Sequence, residues 1–400
     1  MKEDLERVNR LYKYIQRLMN QEDSKQLYER YKSDFEKVTP QEIFEVFYMI
    51  LQKGIEPKEI LVILDKVINV FYKGLISYQW NRPEKGSFLD FLMMENCALL
   101  EKLEAIKEIL NEKDLLAKKK KLIPRINELV QFNQHYLKKE NILFPYLEKK
   151  MEKFNGLTIM WSLHDMARTQ IKKVMEYLES ETCKEAEINE QIGSLFFILH
   201  GIVKKEELIL FPAASEVIEK NEWREMQKQS FEYEFPFIPR PKQQAESLQE
   251  SRSNDNMNAD INGRYKFKTE TGELDFEQIV LLFNALPVDL TFVDENNRVR
   301  YFTRPKDRIF PRSPAIIGRD VDKCHPPESV HVVHKIMDSF RSGKKDTATF
   351  WINIKGKIIL IQYFALRNAQ GEYKGVLEAS QDITEIKNLE GEKRLLGWEE

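Results

Sequence analysis

Residues 138–145 of the chain read KKENILFP, and almost the same letters, KKEELILFP, return at residues 204–212. Each copy brings a stretch of helically spaced apolar residues to a proline, and each has a histidine upstream, His135 and His200. A third histidine, His164, lies between the copies, and the first 230 residues contain no other. Because helical bundles bind metal pairs with inward-facing histidines and carboxylates, this echo predicts an all-α region with a candidate metal site.

Composition separates this helical region from the rest of the chain. Residues 1–230 have six glycines and six prolines, whereas the shorter remainder has nine of each. Thr39-Pro40-Gln41-Glu42 predicts a helix start, Asn155-Gly156 predicts a helix end, and the apolar spacing indicates seven to nine helices. Residues 236–273 begin with prolines and continue with largely polar residues, which predicts a flexible linker.

Residues 274–400 show the short runs typical of β-strands. Strands are predicted at 288–293 and 298–302 around a polar turn, at 348–354 and 357–365 around Lys355-Gly356, and at 375–380. A helical stretch, residues 328–342, lies between the two groups. Two strands, helices and then three strands predict an α+β domain, followed by a charged, helix-prone tail at 382–400.

Charge and cysteine content exclude several classes of protein. The chain has 62 lysines and arginines against 65 acidic residues, a formal net charge of −3, so no nucleic-acid partner is expected. Cys97, Cys183 and Cys324 lie far apart and indicate neither a disulfide framework nor a CxxC zinc site. The sequence shows no signal peptide, no run of roughly 18 apolar residues and no glycine-rich phosphate loop. We therefore expect a cytoplasmic protein without membrane segments that is not a nucleotide-driven enzyme.

Helix geometry tests the spacing of acidic residues around the histidines. His135 and Glu140 are five apart, which in an α-helix is a rise of ~7.5 Å and a rotation of ~140°. That separation suits a histidine on one metal ion and a carboxylate that reaches a bridge or a second ion. Asp90 and Glu95 repeat the spacing on an earlier helix. The alternative is that these are core or surface histidines beside solvated Glu and Lys faces.

The second copy of the echo leaves two questions open. His200 and Glu207 are seven apart, about 10.5 Å along a helix, which is long for one compact site. Either the histidine or the carboxylate is therefore expected to fall outside it. Alignment on Leu-Phe-Pro makes Glu207 the counterpart of Glu140, whereas alignment on Lys-Lys-Glu makes Glu206 the counterpart.

Segments 85–96, 135–141, 144–145, 160–161 and 206–212 together resemble the hemerythrin-like HHE cation-binding domain. More narrowly, the chain resembles bacterial proteins with a DUF438 helical domain before that bundle and a PAS domain after it. The resemblance implies a DUF438-like helical domain at 1–82, a hemerythrin-like four-helix bundle at 83–235, the linker at 236–273 and a PAS domain with a helical tail at 274–400. It also implies a non-haem di-iron centre with ligands among Glu95, His135, Glu140, His164 and one of Glu206 and Glu207.

The chain departs from these relatives in two places. Residues 86–91 read GSFLDF, with Ser87 and Asp90 where relatives usually have a histidine ligand, so Asp90 is the candidate replacement. Residues 64–67 read LDKV and lack the Cys/His-bearing run of DUF438 relatives. A metal-free, degenerate bundle is therefore an alternative to the metal site.

In the second part, residues 286–289, 317–319 and 381–384 resemble a PAS domain, whose pocket holds haem, flavin or a small ligand in some members. Cys324, His325, His331 and His334 are the candidate cofactor-binding residues, for haem or a metal. The alternative is that His325-Pro326 makes a helix-entry turn without a cofactor and that His331 and His334 form an exposed helix face.

The function implied by these resemblances is that of a sensor. We expect an iron centre responsive to oxygen, nitric oxide or redox state, coupled to a PAS domain that binds a ligand or forms a homodimer. A partner protein would receive the signal, because no catalytic constellation or output domain is recognised and the chain is not expected to be an enzyme. The alternatives are an iron-handling or iron-centre repair protein and a metal-free PAS interaction scaffold.

Overall fold

The computed structural model describes residues 2–180, 183–242, 266–269, 271–306 and 308–391. The chain divides into two compact units, Met1–Gln243 and Gln244–Glu400. The first is all-helical and the second combines a β-sheet with helices, which confirms the predicted fold class. Among the described helices, none is both long and apolar enough to cross a membrane.

The first unit begins with four helices, of which the third starts at the capping residue expected from the sequence. These are α1 (Lys2–Met19), α2 (Ser24–Phe35), α3 (Pro40–Leu51) and α4 (Pro57–Ser77). The hydroxyl of Thr39 accepts from the Glu42 N–H while the Glu42 carboxylate accepts from the Thr39 N–H. This reciprocal pair satisfies two N–H groups that a helix start leaves free and confirms the predicted start.

The rest of the first unit is a bundle of long helices, some of which change type along their length. After α5 (Phe88–Ile109) the chain runs through α6 (Leu115–Glu128), a 3₁₀ turn (Leu129–Phe132), α7 (Asn133–Lys138), a π turn (Lys139–Leu143) and α8 (Phe144–Lys150). A 3₁₀ turn (Glu152–Leu157) leads into α9 (Thr158–Glu179). Then follow α10 (Glu185–Lys205), a second π turn (Glu206–Leu210), α11 (Phe211–Val217) and α12 (Lys220–Ser230).

One sequence prediction about these helices is wrong. Asn155-Gly156 does not end a helix; both residues lie inside the 3₁₀ turn that continues directly into α9. The turn packs on α3, where the Phe44 ring meets the Phe154 ring edge-on at 4.9 Å. This contact joins residues that are distant in sequence, so the local sequence does not encode it. It lies in the turn that leads directly into α9.

The four N-terminal helices and the bundle share one hydrophobic core. Phe35 and Phe44 of the first four helices belong to the same buried cluster as Leu99 and Phe144 of the bundle. Within the N-terminal helices, α4 passes very close to the end of α2, because a Cβ on Gly74 would lie 2.3 Å from the carbonyl oxygen of Phe35. Residues 1–82 therefore cover their apolar faces by packing on the bundle, which the sequence alone left open.

The second unit is built on a five-stranded antiparallel sheet. Its elements are β1 (Lys266–Thr269), β2 (Gly272–Asp275), α13 (Phe276–Ala285), β3 (Asp289–Asp294), β4 (Val299–Phe302), α14 (Pro327–Arg341), β5 (Thr347–Ile354), β6 (Lys357–Arg367), β7 (Tyr373–Asp382) and α15 (Thr384–Lys387). The sheet order is β4-β3-β7-β6-β5, so the first and last hairpins meet through β3 and β7. Val293, Val299, Ile316, Val321 and Met337 form its buried core.

The two ends of the second unit along the chain differ from the prediction. Strands β1 and β2 pair with each other, and β1 together with the start of β2 lies in the stretch 236–273 that the sequence predicts to be a linker, so strand structure begins before residue 274. The predicted helical tail is represented by the short α15, and residues 392–400 lie outside the described residues.

Candidate metal centre

Two π turns interrupt the bundle at the repeated motif. Each is followed at once by a Phe-Pro pair, Phe144-Pro145 and Phe211-Pro212, with the proline in the first turn of the next helix. Proline lacks an N–H and its ring crowds the carbonyl four residues earlier, so a preceding turn widened to an i→i+5 pattern relieves the conflict. The repeated sequence motif therefore corresponds to a repeated local backbone geometry.

Five acidic and histidine side chains meet inside the bundle. They come from α5, α7, the first π turn, α9 and the second π turn, and they are Glu95, His135, Glu140, His164 and Glu206. At most 1 % of the surface of each residue is exposed. All five are candidates from the sequence, and the structure brings them together although the outermost two are 111 positions apart.

The two histidines have the same arrangement. Nδ1 of His135 lies 2.8 Å from Oε2 of Glu95, and Nδ1 of His164 lies 2.8 Å from Oε1 of Glu140. Both Nε2 atoms face the same carboxylate, that of Glu206. The distance is 3.0 Å from His135 to Oε2 and 3.9 Å from His164 to Oε1. Each imidazole thus has one carboxylate of its own and shares the third.

Aromatic rings fix the planes of both imidazoles. Phe132 stacks on His135 with centroids 4.5 Å apart, and Tyr136 stacks on His164 at 4.3 Å. Burial lowers the pKa of both histidines well below the ordinary value, and the nearby charge of Lys139 lowers it further. The rings are therefore held neutral, with one N–H each.

Two buried lysines, which sequence reasoning did not assign to the site, neutralise part of its charge. Lys138 donates to Oε1 of Glu95, and Lys139 donates to Oε1 of Glu206. Burial lowers the pKa of both lysines, that of Lys139 well below its ordinary range. Burial also raises the pKa of Glu95 to about 7, against the opposing effect of Lys138. Their position in the echoed motif, directly before Glu140, is the one sequence signal that points to them.

Arg168 binds the carboxylate of Glu140. Its Nη2 donates to both oxygens of Glu140 at 2.9 Å, and its Nη1 and Nε donate to Asp165 and Asn133 at 2.8 Å each. The guanidinium lies one helical turn after His164, so α9 supplies both the imidazole and the group that orients its carboxylate partner. Sequence reasoning did not single out Arg168.

Three further sequence candidates lie outside this cluster. Asp90 accepts from the Gly86 N–H at 2.7 Å and belongs to the start of α5, which Ser87 caps, so the structure places it away from the cluster. His200 is exposed on α10 and contacts the ring of Phe196. The α10 helix turns this histidine outward, whereas Glu206 enters the cluster.

Glu207 lies beside the cluster without entering it. Its Oε1 accepts from Nδ2 of Asn96 at 3.3 Å, and the same nitrogen donates to Glu206 at 3.0 Å. Burial raises the pKa of Glu207. The π turns begin at Lys139 and Glu206, five residues before each Phe-Pro pair, so the backbone follows the Leu-Phe-Pro alignment. The inward carboxylate is nevertheless the one given by the Lys-Lys-Glu alignment.

The π turn also changes the meaning of the five-residue spacing. In an ordinary α-helix His135 and Glu140 would point ~140° apart. The turn at Lys139–Leu143 closes with an i→i+5 bond from Phe144 to Lys139, so Glu140 lies in a widened turn and not in an ordinary α-helix. In the structure Glu140 pairs with Nδ1 of His164, 2.8 Å away, which is the second histidine and not the one five residues earlier.

The cluster has the residue types of a metal site, but its side chains are hydrogen-bonded to one another and to lysines. Within the described residues, no three His, Cys, Asp or Glu side chains are already arranged as a metal site. Two buried acceptors beside Glu206 nevertheless lack a hydrogen-bond partner among those residues, Nε2 of His164 and Oδ1 of Asn96. Buried acceptors without partners are costly, and imidazole nitrogens and carboxylate oxygens are ordinary ligands of iron, zinc and manganese.

The four candidates in the second unit have separate local partners. Cys324 donates to the Asp320 carbonyl at 3.6 Å, and Nδ1 of His325 donates to the carbonyl of Val321 at 2.9 Å. His331 and His334 are exposed on α14, and Nε2 of His334 lies 2.6 Å from Asp322. Cys324 and His325 thus lie at the turn before α14, whereas His331 and His334 lie on the exposed face of that helix.

A family model of the hemerythrin HHE cation-binding domain matches residues 87–214, and a PAS domain model matches residues 279–384. The chain contains a hemerythrin HHE domain and a PAS domain. The HHE domain includes all five cluster residues, and the PAS domain includes the five-stranded sheet. The DUF438 assignment of residues 1–82 stays a prediction.

No curated protein matches the chain. Among solved structures, a C-terminal domain from Streptococcus mutans is 32% identical and matches 32% of this chain and 98% of its own, with a TM-score of 0.31. A PAS domain from Colwellia psychrerythraea is 16% identical over 27% of this chain and 97% of its own, with a TM-score of 0.23. The PAS domain of Bordetella pertussis BvgS is 16% identical over 28% of this chain and 88% of its own, with a TM-score of 0.24.

Proposed function

We propose that this chain is a cytoplasmic sensor in which the buried centre of the HHE domain binds non-haem iron. The signal is oxygen, nitric oxide or a change in redox state, and the PAS domain passes the change to a partner protein, as a homodimer. In this proposal the chain is a binding protein and not an enzyme. The presence of an HHE domain and a PAS domain in one chain supports a role in sensing.

The observation that carries the proposal is the convergence of two neutral imidazoles and three carboxylates from separate helices. Burying these groups costs free energy unless each is paired, and the unpartnered Nε2 of His164 supports a further group at this position. A bound iron would supply reversible binding of a small gas or a change of oxidation state.

Neighbouring side chains orient the two histidines of this centre and balance part of its charge. Glu95 and Glu140 accept from Nδ1–H of the histidines and hold both rings in one orientation. The surrounding bundle excludes bulk water, since all the participating side chains are buried. Lys138 balances the charge of Glu95.

Metal content tests the proposal. The full chain, purified without oxygen and supplied with Fe(II), is expected to retain iron, and a His164→Ala, Glu206→Gln variant is expected to lose it. The control is His200→Ala, which removes an exposed histidine of the same bundle and should leave the iron content unchanged. Absence of iron from the wild-type chain would refute the proposal.

A metal-free interaction scaffold is the second candidate, and the buried lysines favour it. Lys138 and Lys139 already give Glu95 and Glu206 cationic partners, so the centre can persist without an ion. A chain with no affinity for Fe(II), Mn(II) or Zn(II), together with an unchanged unfolding temperature on metal addition, would support this function.

A further inference from the structure

We propose that a groove on the first unit, outside the buried centre, binds a small aromatic molecule that carries a phosphate group. The groove lies between α2, α4 and α10 and has a volume of about 590 Å³, which is within the range of ordinary small-molecule sites. Tyr28 of α2, six residues of α4 between positions 65 and 73, and Phe197 of α10 line it. None of these residues belongs to the histidine and carboxylate cluster, so the proposal does not depend on metal binding.

Helical spacing brings the lining residues to one groove. Lys66, Asn69 and Lys73 follow one another at intervals of three and four along α4, so they share one face of that helix. Phe197 and Lys204 are seven apart on α10 and likewise share a face. The two faces meet, because Nζ of Lys204 donates to Oδ1 of Asn69 at 2.7 Å.

Three aromatic side chains that line the groove are exposed to solvent. They are Tyr28, Tyr72 and Phe197, and 62% of the surface of Phe197 is accessible. Exposed aromatic rings grouped in a concave site are typical of ligand recognition, since a planar ring that stacks on them removes apolar surface from water. The ligand is therefore expected to carry a planar aromatic ring.

The carboxylates of Asp65 and Glu36, which lie at the groove, already have cationic partners. Asp65 accepts from the buried Lys205 at 2.5 Å, and Glu36 accepts from Lys73 at 2.6 Å. Each pair cancels the charge of its own carboxylate. An anion that enters the groove therefore meets little repulsion from these two acidic residues.

Lys66 and Lys204 have neutral partners instead. Nζ of Lys66 donates to Oγ of Ser24 at 3.2 Å, and Nζ of Lys204, which donates to Asn69, lies 4.5 Å from the centre of the Tyr72 ring. Among the described residues, neither ammonium group forms an ion pair with a carboxylate. Two such positive charges match a phosphate, which has a charge of about −1.5 to −2 near pH 7 and three acceptor oxygens.

Calorimetric titration of the full chain with adenosine monophosphate and with flavin mononucleotide tests the proposal. Both compounds carry an aromatic ring and one phosphate, and their comparison shows whether the groove takes a purine or a flavin ring. At least one of them is expected to bind. Adenosine and riboflavin, which lack the phosphate, and ribose phosphate, which lacks the ring, are expected to bind at least about tenfold more weakly.

Substitutions show whether the binding occurs in this groove. A Lys66→Gln, Lys204→Gln variant and, separately, Tyr72→Leu are each expected to weaken binding at least about tenfold. The matched controls are Lys172→Gln, at an exposed lysine of α9, and Leu116→Ala, at an exposed apolar residue of α6, and both should bind as the wild type does. Circular dichroism of each variant controls for loss of folding.

The contrary outcomes are distinct. Binding of neither nucleotide, or binding that is unchanged in the lysine double variant, would overturn the proposal. Equal affinity for a nucleotide and its phosphate-free counterpart would overturn it by removing the role of the lysines. Equal affinity for ribose phosphate would do so by removing the role of the aromatic rings.

Discussion

The local environment shifts the pKa values of two carboxyl groups of this chain in opposite directions. Burial raises the pKa of Glu95 to about 7, because a charged carboxylate is poorly solvated inside the bundle. The partly buried Asp382 goes the other way: hydrogen bonds from the side chain and the N–H of Thr384 lower its pKa to about 2. The same type of group therefore has a raised pKa in one unit and a lowered pKa in the other.

At this scale, His325 gives a pH prediction for the PAS unit. Burial lowers its pKa below the ordinary value of about 6.5, although its bond to the Val321 carbonyl opposes the shift. The unfolded chain then binds a proton more readily than the folded one, so stability falls as pH drops below about 6.5. The expected slope is at most about 1.4 kcal/mol per pH unit, measured as the free energy of unfolding against pH.

His325→Gln should flatten this slope. The matched control is His331→Gln, because His331 is an exposed histidine of the same unit and its replacement should leave the pH dependence as in the wild type. An identical slope in His325→Gln and the wild type would contradict the assignment.

At the scale of elements, backbone contacts decide where helices can pass each other. In α4, a Cβ on Gly74 would lie 2.3 Å from the Phe35 carbonyl oxygen and 3.0 Å from a methyl group of Val38. Gly193 of α10 is exposed and a Cβ there would meet nothing within 4 Å. The two glycines therefore have different roles in helices of similar length.

Gly74→Ala should destabilise the first unit by about 1–3 kcal/mol, since α4 must move away from α2. Gly193→Ala should stabilise it by about 0.5–1 kcal/mol, because alanine is the better helix former and has room. Urea unfolding followed by circular dichroism measures both. A stabilising Gly74→Ala would show that α4 does not pass α2 as closely as described.

At the scale of the whole molecule, residues 1–82 and the bundle share one core, although the sequence suggests two helical domains. Phe44 of α3 and Phe154 before α9 belong to the same core. The apolar faces of residues 1–82 and of the bundle cover each other. When one part unfolds, the amide protons of the other are therefore expected to lose their protection from hydrogen exchange.

Phe44→Ala tests this cooperativity. The loss of a buried ring should cost about 3 kcal/mol. Hydrogen exchange is expected to rise in α1–α4 and in α5–α12 together. Val62→Ala, at a position 85% exposed on α4, is the control and should change stability by less than about 0.5 kcal/mol. Faster exchange confined to α1–α4 would indicate two independent domains.

The sequence by itself determined the features that depend on near neighbours. Helix starts such as Thr39 and the order of strands and helices along the PAS unit arise from caps and residue alternation, which act within a few residues. The five members of the cluster were also recognisable, because the echoed motif and the family resemblance point to them.

Only the tertiary structure decided how these residues are paired. Glu140 serves His164, Lys139 reaches Glu206, and His200 faces solvent. Each outcome depends on the rotation that a π turn imposes and on which helix lies opposite. Side-chain direction and long-range partners are properties of packed helices, and no local pattern of residue types specifies them.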